Sequence, residues 1–135
     1  MKKFILISLL FSCAIVLYAQ EFNKDKKLTR ILFIMDASIS MEEPWEGMRK
    51  FDRSRHLMLE LLDSLKNIQY QENLQGALRI YGHQSPVPPR DCKDSRLEVG
   101  FQYENIDFIK DVLLNISPKG TTPIAYSLEQ SATDF

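Results

Sequence analysis

Ile31-Leu32-Phe33-Ile34-Met35-Asp36-Ala37-Ser38-Ile39-Ser40 is the stretch that decides how this chain is read. Its five successive apolar residues read as a strand buried on both faces, as in a parallel sheet covered by helices. The run ends in one carboxylate and two hydroxyls, spaced two residues apart. Ligand sites in open α/β sheets lie just beyond the carboxyl ends of such strands. Asp36, Ser38 and Ser40 therefore belong on the first loop after the first strand. Three oxygen-bearing side chains on one tight turn suit a hard cation such as Mg²⁺.

Upstream, Lys2 and Lys3 precede an apolar segment, Phe4 to Leu17, broken only by Ser8 and Ser12, with Ala19-Gln20 as a cleavage point. This pattern predicts a secretory signal peptide over residues 1–19; an uncleaved anchor is the other reading. A lipidated Cys13 is disfavoured by Phe11 and by the apolar run continuing past it. Residues 20–29 form a polar, lysine-rich lead-in, and residues 30–135 a single domain. The mature chain is then exported, to the periplasm, cell envelope or medium, with no membrane span after cleavage. A net charge of −1 gives no electrostatic case for nucleic acid. Cleavage leaves Cys92 as the lone cysteine, either free or with a partner beyond Phe135.

Downstream, Met41 to Gly47 reads as a loop carrying Trp45, which either forms a rim for a partner or covers the top of the sheet. From about Lys50 to Asn67 the period becomes helical, with Phe51, Met58, Leu61, Leu62, Leu65 and Ile68 on one face and Leu57 and Leu59 widening it. The breadth of that stripe predicts a well-buried helix. His56 within it has no metal-ligand pattern. Leu74 to Tyr81 is a second strand. Gly82 to Pro89, with three prolines, is a loop. Arg96 to Tyr103 is a half-buried edge strand, paired as a hairpin with the second, with Leu97, Val99, Phe101 and Tyr103 on one face. Between them, Asp91 and Asp94 either bind a cation or are simply solvated. His83 has no nucleophile or paired carboxylate at a readable spacing. Asn105 is placed to cap a helix from Ile106 to about Asn115. Pro123 opens a last helix, on which Ile124, Leu128, Ala132 and Phe135 share a face.

Asp-x-Ser-x-Ser after an apolar strand, with Gly120-Thr121-Thr122-Pro123 about eighty residues on, resembles the metal-ion-dependent adhesion site of von Willebrand factor type A (vWA) domains. The resemblance runs from about Arg30 to Phe135 and is greatest to exported, Bacteroidota-like bacterial members. It implies a Rossmann-like α/β fold with a mostly parallel central sheet flanked by helices. It further implies Mg²⁺ or Mn²⁺ on Asp36, Ser38, Ser40 and a later threonine. Bacterial members carry Gly-x-Thr-Pro at that turn, which selects Thr122 over Thr121. The implied partner is a protein that supplies an acidic side chain to the metal. Members also have a further strand after the last helix, closing on an Asp-Gly that completes the site. Neither Asp134 nor any other residue stands in that context, so the chain is expected to be incomplete at its C-terminus, with strand one left as an exposed edge. The expected function is an exported binding module, not an enzyme. The alternatives are an inactive truncated remnant and an aspartyl-nucleophile phosphatase; the latter needs a second acid where Ser38 stands.

Overall fold

The structure, a computed structural model, describes residues 27–69 and 73–135. The segment read as a signal peptide and most of the polar lead-in lie outside the described residues. Strand β1 (Thr29–Asp36) leads into a 3₁₀ turn (Ile39–Glu42), a short hairpin of β2 (Pro44–Trp45) and β3 (Met48–Arg49), and helix α1 (Lys50–Gln69). Then come β4 (Leu74–Tyr81), β5 (Ser95–Tyr103), α2 (Ile106–Asn115) and α3 (Ile124–Ser131). The stretch from Met41 to Gly47, expected as plain loop, is folded back on itself by this hairpin, in which Gly47 takes a φ of +84°.

The protein is a mixed α/β fold. The central sheet has the order β1-β4-β5, with β1 parallel and β5 antiparallel to β4. Among the described strands it is thus evenly mixed rather than mostly parallel, because β4 and β5 form a hairpin while the β1–β4 connection crosses over through α1. Among the described residues β1 is paired on one side only.

Alternation along β4 sorts the two faces. Leu78 and Ile80 join Phe33, Met35, Phe51, Leu62, Ile106, Ile109 and Leu113 in the core beneath α1 and α2. Arg79 points the other way and meets Asp134, just past α3. Helices therefore cover both faces. Gly76 lies where Asn105 and Ile109 press on the sheet: a Cβ there would sit 3.1 Å from each.

Four expectations change on the structure. Helix α1 is buried only along Phe51, Leu62 and Gln69; Leu57, Leu61 and Ile68 are exposed. The β5 stripe is split, because register shifts on either side of Leu78 send Val99 into the core and Phe101 to the other face, its ring 4.9 Å from that of Phe135. Asn105 makes no side-chain cap; its Nδ2 donates to the Gly76 carbonyl at 2.8 Å and the Gly100 carbonyl at 3.3 Å, stitching β4 to β5. On α3 the apolar face is outside, with Ile124 and Leu128 at 51% and 57% exposure, while Ser127 and Ser131 face inward; Phe135 lies past the helix, 62% exposed. Those hydroxyls are satisfied within their own helix, donating to the Pro123 and Ser127 carbonyls. Among the described residues no helix is long and apolar enough to cross a membrane.

Candidate metal centre

β1 delivers Asp36 to the carboxyl end of the sheet, directly opposite Tyr81 of β4. The strand direction persists one residue further, since Ala37 N–H donates to the Tyr81 carbonyl at 2.8 Å. The chain then turns. Asp36 Oδ1 accepts the Ser38 N–H at 2.8 Å, closing the turn through a side chain, as short acidic residues do. This brings Ser38 Oγ within 3.1 Å of Ser40 Oγ at the start of the 3₁₀ turn. Ser38 is fully buried, Asp36 half-buried and Ser40 exposed, so the oxygens lead from the interior to the surface.

The second loop is laid against the first by main-chain bonds. Ser38 and Gly120 form a parallel bridge, and Ile39 N–H donates to the Gly120 carbonyl at 2.9 Å. Beneath both, the Gly82 carbonyl accepts from Lys119 N–H at 3.1 Å and Gly120 N–H at 2.8 Å. Thr121 and Thr122 take different roles. Thr121 Oγ1 donates to the Asp91 carbonyl. Thr122 is exposed and lines, with Ser40, a cleft of about 320 Å³. The structure thus joins Asp36, Ser38 and Ser40 by hydrogen bonds, and Thr122 shares its cleft with Ser40, while Asp36 lines a neighbouring hollow with Met41 and Ser54.

Tyr81 was not among the residues singled out from the sequence. Its hydroxyl donates to the Asp36 carboxylate, and burial, helped by that negative charge, pushes the phenol up to about 12. The signal was present: two parallel strands ending in register place their last side chains side by side. Asp94, read as cation-binding or solvated, is instead buried and accepts the Gln84 and Ser85 backbone N–H groups and Gln84 Nε2. Asp91 accepts Ser85 Oγ at 3.1 Å and Lys93 N–H at 2.8 Å. Both acids are used to shape the loop between β4 and β5.

His83 is buried and does have a carboxylate, supplied from fifteen residues on: Nε2 lies 2.5 Å from Glu98 Oε1. Arg96 holds the same carboxylate through two bonds, at 2.6 and 3.0 Å. Burial opposes ionisation of Glu98, but Arg96 and His83 outweigh it and hold the carboxyl below its usual range. A depressed carboxyl contributes stability above its unfolded value, about 4.3, and loses it as pH falls through the lower folded value. Glu98→Gln should therefore flatten the fall in stability on acidification below about pH 4.5, read by urea unfolding across that range.

No protein-family model matches the chain. The uncharacterized protein YwmC of Bacillus subtilis (strain 168) is 27% identical to it over 143 residues, an alignment that takes in 99% of this chain and 61% of YwmC. The chain thus spans about three fifths of the length of that curated relative.

The chemistry of the donor set can be judged from its geometry. Octahedral Mg²⁺ holds oxygens at about 2.0–2.1 Å, so adjacent ligands stand about 3 Å apart. The Ser38 and Ser40 hydroxyls, at 3.1 Å, already have that separation. Among the described residues no three His, Cys, Asp or Glu side chains converge on one point. A cation here would rest on the Asp36 carboxylate with neutral hydroxyls from Ser38, Ser40 and Thr122, and would keep most of its charge for an incoming anion.

Proposed function

We propose that this protein is an exported module of the vWA type, with the Rossmann-like architecture of that class, which binds a partner protein through Mg²⁺ or Mn²⁺ at Asp36, Ser38, Ser40 and Thr122. The observation that carries this is the pair of hydroxyls 3.1 Å apart beside the Asp36 carboxylate, at the carboxyl end of β1. The parallel β1–β4 pairing and helices on both faces of the sheet support the architecture. Thr121 and Thr122 both line the cleft, and the bond of Thr121 to the Asp91 carbonyl favours Thr122 as the ligand.

When bound, the dication supplies a Lewis-acidic position for a carboxylate of the partner. The chain's own residues do the rest. Asp36 supplies the single formal negative charge and is oriented by Ser38 N–H and by Tyr81. The serine hydroxyls fix the geometry without neutralising the ion. Such a site suits reversible binding rather than turnover, and the region in which it acts is the periplasm, the cell envelope or the medium.

A ligand that binds only the folded state raises stability by about 2.7 kcal/mol at one hundred times its dissociation constant. Millimolar Mg²⁺ should therefore shift thermal unfolding of the protein upward, and Asp36→Ala should abolish the shift while still unfolding cooperatively. An equal Mg²⁺ shift in Asp36→Ala would place the ion elsewhere and defeat the proposal.

A further inference from the structure

The cleft shared by Ser40 and Thr122 has a charge that the metal reading leaves unused. Arg90 lines it, exposed, together with Ile39, Val87 and Cys92. Arg49, Arg55, Arg79 and Arg96 each hold a carboxylate. Arg90 forms no such ion pair among the described residues, and no carboxylate lines the cleft. Its neighbour Asp91 is turned to Ser85 and Lys93. A guanidinium with free donors takes a carboxylate through two parallel bonds, which gives direction as well as attraction. Ile39 and Val87, 51% and 39% exposed, supply apolar wall to the same cleft.

We infer that the cleft receives a partner segment bearing two acidic side chains, one directed at the metal and the other at Arg90. This rests on the metal reading above and specifies the partner: an acidic peptide segment with paired carboxylates rather than a lone acid. Ile39 and Val87 contact the methylenes between those carboxylates. Cys92, exposed in the same cleft, is covered when the segment is seated.

That thiol supplies the test. The purified protein is treated with iodoacetamide in Mg²⁺, and the alkylation rate is read at the Cys92 peptide by mass spectrometry, each variant normalised to its own rate without peptide. The probes are acetyl-Asp-Gly-Asp-amide and acetyl-Asp-Asp-amide against the mono-acid acetyl-Asp-Gly-Asn-amide. The expected result is protection by at least one di-acid at a concentration ten-fold or more below that needed for the mono-acid. Arg90→Gln should erase that difference while leaving the Mg²⁺ shift in thermal unfolding intact. Asp36→Ala should abolish both. An unchanged di-acid preference in Arg90→Gln overturns the assignment to Arg90. A full Mg²⁺ shift with no protection by any probe overturns the inference and leaves the metal reading standing. Absence of the Mg²⁺ shift removes both.

Discussion

Asp134→Ala lowers the unfolding free energy by about 3–5 kcal/mol, the cost of leaving a buried charge without its partner. Arg79 sits in the most deeply buried strand and holds Asp134 through two bonds of 2.7 Å, with both side chains only 6% exposed. Its third contact, Ser95 Oγ at 3.1 Å, carries no charge and cannot replace the carboxylate. The effect is expected to reach the candidate site. Helix α3 faces the sheet with serines bonded to their own helix, so it is held down just past its end, by the buried Arg79–Asp134 pair and by the exposed contacts of Phe135 with Phe101 and Arg30. The loop carrying Thr121 and Thr122 enters that helix directly. Urea unfolding of Asp134→Ala measures the loss, and the double variant Arg79→Leu, Asp134→Leu should recover most of it, because it removes the buried charge along with its partner. A single variant within 1 kcal/mol of wild type would mean that water reaches the guanidinium.

Gly82→Ala should be nearly as costly and more damaging to the site. Gly82 adopts a φ of +74°, and a Cβ there would stand 2.5 Å from the Thr121 carbonyl oxygen, 2.6 Å from Ser38 Cα and 2.7 Å from Ser38 N. All three are main-chain atoms, so no side chain can swing aside. The left-handed backbone alone costs an alanine about 1–3 kcal/mol, and forced overpacking adds about 1–3 kcal/mol. The atoms displaced are those that hold the Asp36–Ser40 loop against the Gly120–Thr122 loop, so the Mg²⁺ response should fall with stability. Gly47→Ala is the control: its φ is +84°, but nothing lies within 4 Å of a Cβ there, so only the backbone term applies.

Much of this was legible in the residues. The apolar run ending at Asp36 marked β1, and the period change near Lys50 marked α1. The extent of β4 was readable to the residue, and that of α2 closely. What was not legible came from contacts between distant segments. Ile124, Leu128 and Phe135 recur at helical spacing as a core stripe does, yet the buried face of α3 carries Ser127 and Ser131. The signal was Arg79 within the apolar run of β4: a buried cation demands an acid, and Asp134 stands one turn past α3. Asn105 at a helix start reads as a cap because cap preference is local, whereas its amide is drawn to carbonyls of two strands. For the site, spacing placed Asp36, Ser38 and Ser40 on one turn. The role of Tyr81 beneath Asp36, and of Gly82 between the two loops, depends on strand register, which no single segment carries.

The most direct measurement is a titration of the protein with Mn²⁺, following loss of the free-ion signal by electron paramagnetic resonance, in wild type, Asp36→Ala and Thr122→Ala. One saturable site that disappears in Asp36→Ala, weakens in Thr122→Ala and is displaced by Mg²⁺ is the predicted result. Mn²⁺ binding of the same affinity in all three proteins, or none in wild type, would contradict it.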